Sequence, residues 1–267
     1  MTTTVTRALS GAVYVLLFVS ATLYSPYSFL LLTGILLLFS VMEFCKLLRI
    51  QPYVSLILAI IGFILFNLDN TVKINELLLL AAALMVSVKS LVFLFEKKSV
   101  YLDKTSKYVF MMGYLIIPLI IFVKIPFVNN TYEPKIIIGM LVIIWTNDTF
   151  AYLVGRAIGK HKLFEKVSPK KTIEGFMGGV IFSVISGIIV ATAYIKEPVL
   201  KWVAIAVIVC VFGTLGDLIE SKFKRNANVK DSGAIMPGHG GFLDRLDSII
   251  FASPFVYLFY QILHYVP

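Results

Sequence analysis

The amino-acid sequence predicts an all-α, polytopic integral membrane protein with about nine transmembrane helices and a cytoplasmic N-terminus. Hydrophobic residues make up 59% of the 267 residues and charged residues only 15%, whereas soluble domains usually carry about 25% charged residues. The mean hydropathy of +0.91 likewise exceeds what one water-facing core requires. In lipid, backbone polar groups must be satisfied internally, which favours helices.

Nine apolar stretches approach the ~20 residues that a spanning helix needs. They run approximately over residues 8–24, 27–42, 53–68, 77–95, 108–128, 136–158, 175–195, 199–220 and 248–266. Only Ser25, Pro26 and Tyr27 separate the first two stretches, which predicts a tight helical hairpin. No internal repeat or low-complexity linker is visible. We therefore expect one integral domain over 1–267, with a helical scaffold over 1–135 and catalytic helices with cytoplasmic loops over 136–267.

The first stretch is expected to remain in the protein as a helix. A single Arg7 precedes it, and Ser20-Ala21-Thr22 is a weak signal-peptidase site. The two cysteines, Cys45 and Cys210, lie far apart in or beside apolar runs. Their spacing suits neither a metal site nor a disulfide framework, so we interpret them as small buried hydrophobic residues.

The distribution of positive charge predicts the orientation of the helices. With a cytoplasmic N-terminus, most of the 24 lysines and arginines fall on the cytoplasmic side, as the positive-inside rule requires. These are Arg7, Lys46, Arg49, Lys97, Lys98, Lys104, Lys107, Arg156, Lys160, Lys162, Lys166, Lys170, Lys171, Lys222, Lys224, Arg225, Lys230 and Arg245. Topology thus accounts for most of the net charge of +9, and no nucleic-acid partner is predicted. Nine spans place the C-terminus outside.

The sixth stretch contains Asp148 between Asn147 and Thr149. A carboxylate inside an apolar helix is costly and usually faces a cavity or a partner. One interpretation is a structural ion pair, for which Lys89 in the fourth stretch is a candidate. The interpretation that we favour is the wall of a polar substrate cavity, because polar residues flank the carboxylate on both sides.

Two further acidic pairs lie at the cytoplasmic ends of helices. Asp217 and Glu220 are three residues apart and share a helix face, and so do Asp244 and Asp247. Helix capping would explain either pair. However, the glycine-rich segment 237–241 directly precedes Asp244 and would permit a backbone path close to a phosphate. Carboxylates gathered at one membrane face suit a hard divalent cation such as Mg²⁺.

Two basic segments would lie beside this acidic group. One is Ser221–Arg225 with Lys230 and Asp231 beyond it, and the other is Ser168–Gly175, which contains Lys170 and Lys171. Lysines and arginines near phosphates neutralise charge and hold orientation. Together these parts indicate a phosphoryl- or nucleotidyl-transfer site, whose chemistry depends on positioning, metal and cations. His239 could act as a general acid or base, or could bind a phosphate or shape the glycine turn.

The run from Ser221 to Asp247 closely resembles the CDP-diacylglycerol synthase family (phosphatidate cytidylyltransferases). The matching positions there are Ser221, Lys224, Arg225, Lys230, Asp231, Gly233, Pro237, His239, Gly240, Gly241, Asp244, Arg245 and Asp247. A small departure is Met236, where Leu, Ile or Phe is expected. Upstream, similar positions are Asp148, Ala151, Tyr152, Gly155, Arg156, Gly159, Lys160, Ser168, Pro169, Lys170, Lys171, Thr172, Glu174 and Gly175. The specific resemblance covers about 145–247.

The resemblance implies an all-helical membrane enzyme that condenses CTP with phosphatidic acid of the inner leaflet and releases pyrophosphate. It implies a divalent cation held by acidic residues and leaves open whether a second cation binds. It also suggests a homodimer, which the sequence itself does not show. Asp217, Asp244 and Asp247 are the expected ligands, with Asp148 a further candidate. The groups expected to hold substrates are Ser168, Lys170, Lys171, Lys222, Lys224, Arg225, Lys230, Asp231, Arg245 and Arg156.

Two other functions remain open from the sequence. A CTP-dependent lipid kinase, such as a polyprenol kinase, would use similar metal and phosphate groups but would release CDP. An ion transporter would use Asp148 and Lys89, but it would be expected to carry binding groups near the bilayer midplane, often in repeated broken helices. The polar residues instead cluster at one face.

Overall fold

The computed structural model describes residues 3–68, 73–96, 101–127, 131–233, 235–236 and 240–265. Within these residues the chain forms nine helices and one small antiparallel sheet. The elements are α1 Thr3–Tyr24, α2 Pro26–Leu48, α3 Pro52–Leu68, α4 Lys73–Phe95, α5 Lys104–Phe127, α6 Pro134–Ile158, β1 Lys162–Phe164, β2 Ser168–Thr172, α7 Ile173–Ile195, α8 Val199–Asn226 and α9 Leu243–Tyr265. The predicted all-α membrane fold is confirmed.

Seven of the described helices, α2 and α4 to α9, are long and apolar enough to cross a membrane. The apolar parts of α1 and α3, Leu9–Tyr24 and Pro52–Phe66, are shorter. Large side chains such as Leu16, Leu31 and Leu78 are about two-thirds exposed. Such a surface suits lipid rather than water, so the chain is a multi-pass membrane protein.

The predicted hairpin between α1 and α2 is present and has a defined cap. Ser25 Oγ accepts a hydrogen bond from the Ser28 amide at 3.1 Å, and Ser28 Oγ accepts one from the Ser25 amide at 3.0 Å. This reciprocal capping box, with Pro26 at the first helical position, satisfies donors that a helix start leaves open. The turn therefore needs a single non-helical residue.

Glycines bring α6 against α7. A Cβ at Gly155 would lie 2.9 Å from Thr172 Oγ1, and one at Gly175 would lie 2.6 Å from the Ala151 carbonyl oxygen. Small residues let membrane helices approach closely in this way. Because α6 and α7 touch here, the β1–β2 hairpin between them is held at the end that the two helices share.

The last turns of α8 are anchored by aromatic rings. Phe223 contacts Phe44, Phe93, Phe110 and Tyr114 with centroid separations of 4.5–5.4 Å. Edge-on and offset ring pairs add to the stabilisation from burial. The C-terminal end of α8 thus has a fixed position relative to α2, α4 and α5.

Two helix boundaries differ from the sequence prediction. Helix α8 continues to Asn226 instead of ending near 220, and α9 begins at Leu243 instead of near 248. The segment Ser221–Arg225 therefore lies on a helix, and the predicted helical pair Asp244 and Asp247 lies in the first turns of α9. The added turns are charged, so the apolarity of the sequence does not reveal them.

Candidate active site

Three carboxylates converge where α8 meets α9. Asp217, Glu220 and Asp247 each offer one oxygen, and these oxygens lie within 4.8 Å of one another. Gly216 permits this meeting, because a Cβ there would lie 2.7 Å from the Cβ of Phe251 on α9. The sequence prediction grouped the two acidic pairs at one membrane face, and the structure joins Asp247 to the α8 pair.

Lys224 occupies the space between this cluster and Asp244. Its Nζ lies 2.6 Å from Glu220 Oε2 and 2.6 Å from Asp244 Oδ1, and all three side chains are largely buried. The approach to Glu220 lacks regular hydrogen-bond angles, and neither Glu220 oxygen accepts a regular hydrogen bond in the described part of the chain. Lys224 is therefore a bridging cation, and Glu220 keeps acceptor capacity.

Asp244 accepts hydrogen bonds from residues that precede α9 in the chain. Its Oδ2 accepts hydrogen bonds from the Ser232 amide at 3.0 Å, the Ser232 hydroxyl at 2.8 Å and the Gly241 amide at 2.8 Å. The expected ligand set was Asp217, Asp244 and Asp247. The carboxylate cluster in the structure contains Glu220 where that set has Asp244, and Asp244 instead ties the preceding segment to α9.

The cluster has the chemistry of a hard-cation site. Three carboxylates supply only oxygen donors, which Mg²⁺ prefers. Glu220 is fully buried and its oxygens lack regular hydrogen bonds. A buried carboxylate is costly unless a cation lies beside it, and the one cation beside Glu220, Lys224, is shared with Asp244. The residues present therefore fit a divalent metal ion.

A cavity of about 310 Å³ lies beside the cluster, between α6, β2 and α8. We call it the basic cavity, because three cations line it together with glycine and threonine. Its walls are Asn147, Asp148, Ala151, Tyr152, Gly155, Arg156, Leu163, Lys170, Lys171, Thr172, Phe176, Thr214 and Asp217. Lysine and arginine in a concave, glycine-lined site suit the phosphates of a nucleotide.

Lys171 connects the basic cavity to the carboxylate cluster through an ion pair with Asp217. Burial alone lowers the pKa of the Lys171 ammonium. Attraction to Asp217, and then to Asp247 and Asp148, outweighs burial and raises the pKa above its ordinary value. Lys171 is therefore protonated at neutral pH.

A second cavity of about 210 Å³ lies on the other side of the cluster. We call it the acidic cavity, and it is lined by Gly11, Tyr14, Val15, Ile144, Trp145, Asp148, Met236, Asp244, Arg245, Asp247, Ser248 and Ile249. Tyr14 and Met236 also line an apolar groove of about 510 Å³ between α1 and α2. The acidic cavity and the apolar groove thus share two wall residues.

Asp148 stands in the wall of both cavities. The alternative of an ion pair with Lys89 is wrong, because Lys89 Nζ instead donates to Ser106 Oγ at 3.1 Å and lies over the Phe110 ring. The location agrees with the substrate-cavity interpretation of this intramembrane carboxylate.

The other predicted site residues divide into two groups. Arg156 and Lys170 line the basic cavity, and Arg245 lines the acidic cavity. Lys222 donates to the Glu96 carbonyl at 2.7 Å, and Arg225 donates to the Val229 carbonyl at 3.2 Å. The structure thus directs these two cations to helix ends.

Four more predicted site residues either line neither cavity or lie outside the described residues. Ser168 begins β2, and Lys230 and Asp231 are exposed on the segment after α8; all three are absent from the lining of both cavities. His239 lies outside the described residues, as do Pro237 and Gly238.

Sequence reasoning missed one acidic residue at this site. Glu43 on α2 is fully buried and accepts hydrogen bonds from the amides of Phe242 and Leu243. It is the single carboxylate in a mostly apolar helix, a signal of the kind that singled out Asp148. A residue of the N-terminal half thus contacts the start of α9.

Comparison with known proteins gives a consistent result. The model of the "Cytidylyltransferase family" matches residues 5–263. Proteins called phosphatidate cytidylyltransferase are similar in sequence: 49% identical over 117 residues in Bacillus subtilis, 48% over 120 in Staphylococcus saprophyticus and 50% over 121 in Staphylococcus aureus. These alignments cover 43–44% of this chain and 44–46% of each relative, so the chain matches less than half of each relative's length.

Proposed function

The chain belongs to the cytidylyltransferase family, and from this premise we propose that it transfers the cytidylyl group of CTP to phosphatidic acid. The observation that carries the proposal is the meeting of two cavities of different character at Asp148 and the carboxylate cluster. One cavity is lined by three cations, and the other shares the wall residues Tyr14 and Met236 with an apolar groove. A water-soluble and a lipid substrate would each find a matching environment.

CTP would occupy the basic cavity. Lys170, Lys171 and Arg156 would hold the triphosphate, since they line the cavity and cations orient phosphates. Lys171 is fixed by Asp217 and stays protonated, so its charge is available throughout the neutral pH range. The α-phosphorus would then lie near the carboxylate cluster.

Phosphatidic acid would enter from the membrane. Its acyl chains would lie in the apolar groove beside Leu17 and Ile35, and its phosphate would reach the acidic cavity beside Arg245. An oxygen of that phosphate attacks the α-phosphorus of CTP. The bond from the α-phosphorus to the bridging oxygen breaks, and pyrophosphate leaves with that electron pair toward the loops.

Asp217, Glu220 and Asp247 are the residues that we propose hold Mg²⁺, which supplies charge neutralisation between two anionic substrates when it is bound. Asp244 and Lys224 keep α9 and α8 in register around that cluster. The metal set is thus a revision of the sequence-based set, with Glu220 in place of Asp244.

The test is pyrophosphate release by purified protein in lipid, given CTP, phosphatidic acid and Mg²⁺. We expect release that requires all three components. Formation of CDP without pyrophosphate would instead identify a CTP-dependent lipid kinase. No turnover in a folded, lipid-replete protein would contradict both activities.

Two substitutions examine the metal ligands in the same assay. Asp217→Asn is expected to lower turnover by about 100-fold or more and to raise the Mg²⁺ concentration for half-maximal rate, because it removes a ligand. Asp244→Asn is expected to lower turnover and thermal stability with little change in that Mg²⁺ concentration. If Asp244→Asn raised that Mg²⁺ concentration and Asp217→Asn did not, Asp244 would be a metal ligand, as the sequence predicted.

Placement of the lipid can be examined at Val13, which lines the apolar groove and is half-exposed. Val13→Trp would fill the groove with little effect on the core. We expect a higher KM for long-chain phosphatidic acid and an unchanged KM for CTP. An equal effect on both substrates would place the acyl chains elsewhere.

A further inference from the structure

Glu43 is a buried charge in the half of the protein farthest in sequence from the carboxylate cluster. Glu43 is 0% exposed, and no lysine or arginine in the described part of the chain forms a salt bridge with it. A buried ionisable residue in a membrane helix is costly and usually marks a function. The partners of Glu43 show what that function is.

Those partners belong to the segment that leads into α9. Glu43 accepts hydrogen bonds from the Leu243 amide at 2.9 Å and the Phe242 amide at 3.2 Å, and its Oε2 lies 3.2 Å from the Ser232 hydroxyl, whose one hydrogen is shared with Asp244. The first amides of a helix lack partners within the helix, and a carboxylate there is favoured by the helix dipole. Glu43 therefore caps α9 from a different helix.

The segment is also shaped around the carboxylate. A Cβ at Gly233 would lie 2.8 Å from Glu43 Cδ, and a Cβ at Gly241 would lie 2.6 Å from the same atom. Any larger residue at either position would displace Glu43. The described contacts thus give these two glycines a role that the sequence-based phosphate interpretation did not include.

Ser232 relays this contact to the site. Its hydroxyl lies 3.2 Å from Glu43 and 2.8 Å from Asp244, and Asp244 in turn contacts Lys224 at 2.6 Å. Lys224 reaches Glu220 of the carboxylate cluster. A continuous chain of polar contacts therefore joins α2 to α8 through the start of α9.

We propose that Glu43 is a positioning residue for cytidylyl transfer: it holds Ser232, Phe242 and the first turn of α9, so that Asp244 and Asp247 face α8. The inference rests on the proposed function for its kinetic part, and its structural part stands alone. Glu43 touches no substrate in this scheme. Its effect should therefore appear in kcat more than in the KM for CTP, which binds in the basic cavity.

The experiment compares Glu43→Gln with Glu76→Gln in purified full-length protein. Glu76 is a matched control, because it pairs with Lys124 at 3.2 Å and with Tyr257 at 2.6 Å but lines neither cavity of the site. We expect Glu43→Gln to lower kcat at least about tenfold, since small misplacements are costly in catalysis, and to leave the KM for CTP within about twofold. Glu76→Gln should lower thermal stability but keep kcat within about twofold.

Amide hydrogen exchange over residues 231–247 is the second readout. It should accelerate in Glu43→Gln and stay unchanged in Glu76→Gln. Unchanged exchange in Glu43→Gln, or a loss of kcat no larger than that of Glu76→Gln, would overturn the inference. If the wild-type protein releases no pyrophosphate, the proposed function fails, while exchange still decides whether Glu43 holds the segment.

Ser232→Ala offers a milder variant should Glu43→Gln fold poorly, because it removes only the relay hydroxyl. We expect a lower kcat and faster exchange around Gly241. In the double variant with Glu43→Gln, the losses should be less than additive, since both act on one network. Additive losses would show independent roles and would contradict the relay.

Discussion

At the scale of single residues, Lys224 is the side chain on which most of the site's charge balance depends. It lies between Glu220 and Asp244 at 2.6 Å from each, with 11% of its side chain exposed. Removing one partner from a buried ionic group leaves uncompensated charge, which costs more than the contact itself contributes. Its role in this structure is therefore to hold two carboxylates together.

Lys224→Met keeps the length of the side chain but removes its charge. We expect a loss of about 3–5 kcal/mol in the free energy of unfolding and a loss of pyrophosphate release, because Glu220 and Asp244 would repel each other. Thermal unfolding in detergent and the release assay measure the two effects.

Lys222→Met provides the comparison on the same helix. Lys222 donates to one carbonyl oxygen of Glu96, so its loss should cost about 1 kcal/mol or less. Equal destabilisation by the two substitutions would mean that the ionic bridge of Lys224 contributes little.

At the scale of secondary-structure elements, the contact between α6 and α7 determines the shape of the basic cavity. Gly155 and Gly175 face each other there, and Thr172 caps α7 by accepting a hydrogen bond from the Gly175 amide at 3.1 Å. Glu174 accepts hydrogen bonds from the amides of Lys160 and His161 and so fixes the entry to the hairpin. These contacts hold the backbone of β2 in place, and with it Lys170 and Lys171.

Gly175→Ala should separate α6 from α7, because the new Cβ would lie 2.6 Å from the Ala151 carbonyl oxygen. We expect a stability loss of about 1–3 kcal/mol and a higher KM for CTP. Gly34→Ala is the control, since its Cβ would meet Phe63 at an ordinary 3.4 Å. If Gly175→Ala left the KM for CTP unchanged, the spacing of α6 and α7 would not determine nucleotide binding.

The positions of the helices could be predicted from the sequence, because apolar length is a local property. The charged C-terminal end of α8 could not, since its last turns are helical without being apolar. The hairpin of Lys170 and Lys171 was also missed, because its strands contain only three and five residues. Glu43 was missed for another reason: its partners are 189–200 residues away in sequence.

At the scale of the whole molecule, the orientation of the helices decides whether CTP can reach the basic cavity. The positive-inside rule predicts that the β1–β2 hairpin faces the cytoplasm and that the α5–α6 connection faces outward. Both native cysteines are free and buried. Their burial should leave little background for cysteine labelling.

Lys166→Cys and Thr131→Cys place single exposed thiols on these two connections. In intact cells, a membrane-impermeant thiol reagent should label Thr131→Cys and spare Lys166→Cys until the membrane is opened. Labelling in the opposite order would invert the predicted topology and would remove the cytosolic access that the proposed function requires.

The distance between Glu43 and its partners also has a consequence for synthesis. Glu43 is translated long before Ser232, Phe242 and Leu243, which are its partners in the folded protein. Glu76 is likewise translated long before Tyr257 on α9. Two acidic side chains therefore remain without these partners until α9 has been translated. A chain that stops after α8 would retain both in that condition, and we expect pulse-chase labelling to show faster proteolytic removal of that fragment than of the chain that includes α9. Helix α9 thus protects two earlier helices from degradation in the membrane.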